Sequence, residues 1–140
     1  MSTTVRPELS VNSKHWVDRH RFYELKHFCL QYRQWKEIRD AIPELNLGTR
    51  LYEQMYVNVG EPSDPVFKTV EEREFYTNRI EMVEKAAKMA DPDLWQYLVR
   101  GITEGLSYDY LKTNLGIPAS KDMYYDRYRK FFWILSKLRK

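Results

Sequence analysis

Residues 105–140 read GLSYDYLKTNLGIPASKDMYYDRYRKFFWILSKLRK, and this stretch decides the fold. Gly105 suits the end of a preceding helix, where a left-handed residue closes the last turn. Ser107 suits the N-cap of a short helix over Tyr108–Leu115, because its hydroxyl oxygen accepts from a free N–H of the first turn. Leu111 and Leu115 are four apart and share a face. Gly116 supplies the next left-handed stop. Ile117-Pro118-Ala119 makes a tight connection with one apolar plug, Ile117. Ser120 then caps a last helix that runs to about Leu138. Short helix, glycine turn and capped long helix follow each other in the order of a helix-turn-helix, which is also the order of a plain αα-hairpin.

The last helix has two distinct faces. Tyr124, Tyr128, Phe131, Leu135 and Leu138 recur in steps of four and three, a stripe for burial that Phe132 and Ile134 broaden. Lys121, Tyr125 and Arg129 lie four apart on another face, beside Asp122, Asp126 and Lys130. In a helix-turn-helix the first residues of the second helix meet base edges in the major groove. Here those are Ser120, Lys121, Tyr124 and Tyr125. Arg127, Arg129, Lys130 and Lys137 lie further along, where phosphate contact is expected; phosphates fix register and affinity, base edges fix specificity. Tyr124 also fits the apolar stripe, so the core competes with the groove for it. Asp122 and Asp126 repel phosphate, and must point away, pair with Arg129 or Lys130, or accept from a cytosine amino group.

Upstream, the chain reads as helices throughout. Phe22, Leu25, Cys29, Tyr32 and Trp35 recur at helical spacing, and no Pro or Gly interrupts them, so the pattern predicts one long helix over about residues 12–42. Pro43 ends it. Residues 43–62 are irregular, with room for a short helix at about 51–56, and form the candidate hinge. Asp64-Pro65 is a cap followed by a first-turn proline, opening a helix to about residue 89. Val66, Val70, Phe75, Ile80, Val83 and Ala87 are its apolar candidates. Asp91-Pro92 repeats the signal and opens a helix over about 92–104, with Leu94, Trp95, Leu98 and Ile102 on one side. No segment alternates as a strand does. The expected fold is all-α: a long N-terminal helix with a hinge over residues 1–60, and a helix-turn-helix unit over residues 61–140.

Composition narrows the function. The 140 residues suit one domain, and 43% apolar with 31% charged is an ordinary soluble balance. The single Cys29 excludes an internal disulfide and a multi-cysteine zinc site. No run approaches the roughly 20 apolar residues of a membrane span, and the opening residues carry no apolar leader core, so a cytoplasmic protein without a membrane partner is expected. The net charge of +3 is unevenly placed. Residues 120–140 hold seven Lys/Arg against two Asp, and residues 1–42 hold eight Lys/Arg against five Asp/Glu. A basic end of this kind suits a polyanion, or complements a helix dipole. His20, Glu24 and His27 could share a face, but HExxH is absent and no metal site is expected. There is no phosphate-cradling glycine loop and no Gly-x-Ser-x-Gly elbow, so neither catalysis nor a cofactor is expected. In the first helix Lys14, Arg19, Arg21, Lys26, Arg33, Lys36 and Arg39 alternate with Trp16, Phe22, Tyr23, Tyr32 and Trp35. This pattern suits an aromatic face packed on the rest of the chain or on a second copy more than nucleic-acid contact.

With these motifs in place, residues 61–140 resemble the ArpU/RinA-like late-gene transcription regulators of phages of Gram-positive bacteria, whose C-terminal part is similar to region 4 of sigma factors. The likeness rests on Asp64-Pro65, EGLSYDYL from Glu104, GIPASKDMYY from Gly116 and RYRKFFWIL from Arg127. The resemblance implies promoter DNA as partner, contact with RNA polymerase and residence in a bacterial host cell. It also implies groove-facing roles for Ser120, Lys121, Tyr124 and Tyr125, and backbone roles for Arg127, Arg129 and Lys130. The chain is too short for a second promoter-reading region, so it is not expected to act as a sigma factor alone. A small terminase-like packaging protein would use the same motif in a ring. An adaptor or inhibitor would turn its basic end to an acidic protein.

Overall fold

The computed structural model describes residues 14–42 and 65–140, with side chains from residue 69 in the second stretch. Among them all regular structure is helical: α1 (Arg19–Cys29), α2 (Tyr32–Ala41), α3 (Pro65–Ala90), α4 (Trp95–Thr103), α5 (Tyr108–Leu115) and α6 (Lys121–Leu138). The protein is all-α, as its periodicities indicate. The Asp64 cap, the hinge and the short helix expected at 51–56 lie outside the described residues. Among the described residues, no helix is long and apolar enough to cross a membrane.

The single long N-terminal helix is replaced by two. α1 starts at Arg19, where the Asp18 carboxylate accepts from the His20 N–H at 3.0 Å. It stops after Cys29. The Gln31 N–H, which would bond the His27 carbonyl in a continuous helix, turns to the Phe28 carbonyl at 3.2 Å. The Gln31 side-chain amide takes the His27 carbonyl instead, at 3.3 Å. A side chain competing for its own helix's acceptor breaks the ladder without Pro or Gly, which is why the hydrophobic period does not reveal the break.

The chain forms two compact units, Met1–Arg33 with Glu81–Lys140, and Gln34–Ile80. This differs from the expected division at residue 60, because α1 belongs with the C-terminal helices. Phe22 of α1 is fully buried and meets Phe132 of α6 edge-on, ring centroids 4.9 Å apart. The Arg21 guanidinium donates to the carbonyls of Ser136, at 3.2 Å, and of Arg139. These are the end carbonyls of α6, which have no partner within the helix. Leu25, Phe28 and Cys29 complete the buried face of α1, and burial pushes the Cys29 thiol pKa well up. The α1 part of the expected apolar stripe, Phe22, Leu25 and Cys29, is thus buried within its own unit, while Trp16 stays exposed.

In the same unit α4 starts after a turn rather than at Pro92. Asp91 Oδ1 accepts from the N–H groups of Asp93 at 2.8 Å and Leu94 at 3.1 Å, and the regular helix opens at Trp95. The α3 end supplies Val83, Ala86, Ala87 and Ala90 to the core.

In the other unit, Arg73 of α3 donates to the carbonyls of Arg39 at 2.8 Å and Ile42 at 2.9 Å, closing the end of α2. Phe75, an apolar candidate by period, is exposed, with the Arg79 guanidinium 3.6 Å above its ring. The side chain of Val66 lies outside the described residues.

Candidate nucleic-acid interface

The α5–turn–α6 unit is built as its sequence indicates, one local bond at a time. The Ser107 hydroxyl accepts from the Tyr110 N–H at 3.1 Å and starts α5. Gly116 ends it at φ 64°, and the Ile117 N–H reaches back to the Leu111 carbonyl at 3.1 Å. The Gly116 N–H donates to the same carbonyl, and these two bonds with the left-handed glycine close the helix. Ile117 is buried between the helices. The Tyr108 hydroxyl donates to the Ala119 carbonyl and ties the turn to the start of α5. The Ser120 hydroxyl accepts from the Met123 N–H at 3.1 Å and starts α6.

The packing behind the motif depends on a glycine. Gly101 of α4 faces the Tyr124 ring of α6; a Cβ at Gly101 would overlap the Tyr124 hydroxyl and stand 3.1 Å from Leu111 Cδ1 of α5. One glycine therefore lets three helices meet. The Tyr124 hydroxyl is buried and has no hydrogen-bond partner, and its pKa is driven up by burial and then by the neighbouring Tyr128 and Tyr125.

Two expected site residues are corrected by this geometry. Tyr124 is 1% exposed, locked between α4 and α5, and cannot reach a base edge. Arg127 donates through Nε to Asp91 Oδ2 at 3.0 Å and pairs through Nη1 with Asp126. It ties α6 to the α3–α4 turn, and its single charge is shared by two carboxylates. The same bonds account for Asp126, which pairs with Arg127 rather than with Arg129 or Lys130.

The other expected residues stay on the surface. Ser120, Lys121, Asp122 and Met123 are exposed in succession at the start of α6. Tyr125 is half-buried, edge-on to Tyr124 at 5.1 Å and Tyr128 at 5.6 Å, and its hydroxyl accepts from the Tyr108 backbone N–H. Arg129 and Lys130 are half-exposed. Lys137 is exposed, its Nζ 4.6 Å from the Trp133 ring centroid.

Three features escape sequence reasoning. Asp91 reads as a helix start, and its ion pair with Arg127 spans 36 residues. Gly101 gives no turn signal, because its role is to admit a distant ring. His15 packs on Trp133 with ring centroids 5.2 Å apart, which brings the N-terminal segment onto α6. No periodicity encodes that contact. Burial holds the His15 pKa below its ordinary 6.5, and Lys14, Lys130 and Arg129 push the same way while Asp126 opposes them.

Among the described residues, no group of three or more His, Cys, Asp or Glu is placed to hold a metal ion. In α1, Glu24 pairs with Arg21. Comparison with protein-family models gave no match, and comparisons with curated proteins and with solved structures gave none either.

Proposed function

We propose that the protein is a sequence-specific DNA-binding transcription regulator of the phage late-gene kind, with the start of α6 entering the major groove. The observation that carries this reading is the α5–turn–α6 motif. Its rear is anchored by Tyr124 and Ile117, while the capped first turn of α6 presents Ser120, Lys121, Asp122 and Met123 outward. A rigid helix start with exposed polar side chains is what direct readout requires. The basic groups further along α6, Arg129, Lys130 and Lys137, stand where the sugar-phosphate backbone borders the groove. Lys121 and Tyr125 are the base-reading candidates that remain; Ser120 keeps its hydroxyl proton for donation while its oxygen caps the helix.

The test is selection of bound sequences from a random duplex pool by the full chain, followed by anisotropy on the selected duplex. Recovery of a motif is expected, and Lys121→Ala and Tyr125→Ala should each relax preference at one or two positions, at about 1–3 kcal/mol for each base no longer read. Salt-sensitive binding without any motif would replace the regulator with a packaging role, and ring-sized assemblies would identify it. No duplex binding at low salt would overturn the DNA reading and leave an acidic protein as the partner. RNA polymerase contact, operator symmetry and a bacterial host cell follow only from a recovered promoter-like motif.

A further inference from the structure

We propose that Lys14 and His15 join Arg129, Lys130 and Lys137 around Trp133 to form a second, sequence-independent clamp for the DNA backbone beside the reading helix. The proposal rests on the DNA-binding reading above and adds residues from the opposite end of the chain. His15 and Trp133 are 118 positions apart in the sequence, yet their rings pack at 5.2 Å. Lys137 holds its ammonium 4.6 Å from the same indole centroid. Trp133 thus meets His15 of the N-terminal segment on one hand and Lys137 of its own helix on the other. Helical steps from Lys130 to Trp133 to Lys137 keep these three on neighbouring rows of one face.

Charge selects the occupant. Two carboxylates, Asp91 and Asp126, share the single guanidinium of Arg127, and Asp126 also acts on His15; against them stand four cations, Lys14, Arg129, Lys130 and Lys137. Burial and then Lys14, Lys130 and Arg129 work against a positive charge on the His15 ring, with Asp126 alone opposing them. A phosphodiester backbone relieves that crowding, because each phosphate placed among the cations lowers their mutual repulsion. Position agrees. Lys121 and Lys130 are nine residues apart, about 14 Å along the helix, and the major groove is roughly 12 Å wide. When the start of α6 lies in the groove, the Trp133 cluster stands at its rim, where phosphates lie.

The experiment is fluorescence anisotropy of the full chain on one fixed duplex across a salt series, with Lys14→Ala, Lys14→Arg, the pair Arg129→Ala with Lys130→Ala, and Lys85→Ala. Lys85 is exposed on α3 and controls for net charge. For every phosphate that the protein ceases to neutralise, the log–log salt slope should fall by about 0.9. Lys14→Ala should therefore lower the slope by about that amount, and the pair by about twice as much. Lys14→Arg and Lys85→Ala should keep the wild-type slope. The recovered sequence motif should be the same for all of them, which separates this cluster from the reading residues. A Lys14→Ala slope and affinity equal to wild type, while Lys121→Ala still weakens binding, would overturn the clamp and leave the DNA reading standing. No duplex binding by wild type at low salt would overturn both.

Discussion

Asp91 shows how one side chain both starts a helix and fastens another. It is only 7% exposed. Burial works to raise its pKa, but the N–H groups of Asp93 and Leu94 and the guanidinium of Arg127 outweigh it, and the carboxyl sits below the usual 3.8. A carboxylate depressed in the folded state contributes stability that is complete above the unfolded value and is lost as pH falls through the folded one. Asp91→Ala should cost about 1–3 kcal/mol, from the turn N–H groups of Asp93 and Leu94 left without their acceptor and from loss of one of the two carboxylates on Arg127. Urea unfolding measures it, and the deficit should shrink below about pH 3.8. Arg127→Ala should also destabilise, yet leave the salt slope of DNA binding unchanged. A reduced slope would return Arg127 to the phosphate-binding residues.

His15 gives a second residue-scale test. Its folded pKa is lowered from 6.5 by burial, then by Lys14, Lys130 and Arg129 against Asp126. Above 6.5 the ring is neutral in both states and carries no penalty. As pH falls through that value the unfolded chain takes up the proton first, so the folded state loses stability. Melting temperature compared between wild type and His15→Gln should diverge on acidification from pH 8 to pH 5.5, wild type falling further. Parallel curves would mean that the ring does not pack on Trp133.

Between elements, Gly101 sets how closely α4, α5 and α6 approach. Gly101→Ala should destabilise by about 1–3 kcal/mol, as overpacking does. The overlap is with the Tyr124 hydroxyl, while the ring carbon behind it would stand at an ordinary 3.4 Å. Tyr124→Phe should therefore be neutral or stabilising alone, since it removes a buried hydroxyl without a partner. Combined with Gly101→Ala it should recover about 1 kcal/mol or more, and the double-mutant cycle reads that coupling directly. Additive costs would place the strain at Leu111 instead. The same scale explains which helix boundaries were legible. Ser107, Gly116 and Ser120 act through bonds three to six residues away, so their residue types announce them. The break after Cys29 comes from a glutamine whose amide takes its own helix's acceptor, a choice that residue type leaves open.

At the scale of the molecule, α1 completes the unit that holds the α5–turn–α6 motif. Without it Phe132 and the last carbonyls of α6 would face water. Full burial of a side chain such as Phe22 is worth about 1.5–3 kcal/mol. A fragment of residues 61–140 should therefore melt at a lower temperature than the full chain, with a broadened transition by circular dichroism. Equal melting would mark residues 61–140 as an independent domain. The clamp around Trp133 belongs to this scale too, since both its halves exist only when the N-terminal segment lies on α6.

What the sequence determined by itself is local. Helical periods without strand alternation dictate an all-α chain. Serine caps, left-handed glycines and one apolar plug dictate the α5–turn–α6 motif, because the hydrogen bonds that define each stop and start close within six residues of backbone. The outward placement of Lys121 and the basic run of α6 follow from the same period. Tertiary structure alone decided that Tyr124 is core, that Arg127 is held by Asp91, that α1 packs with the C-terminal helices and that His15 meets Trp133. Each of those outcomes depends on which distant surface a side chain meets. Burial and ion pairing across 36 to 118 residues are set by the packing of whole helices, and no short-range spacing carries that information.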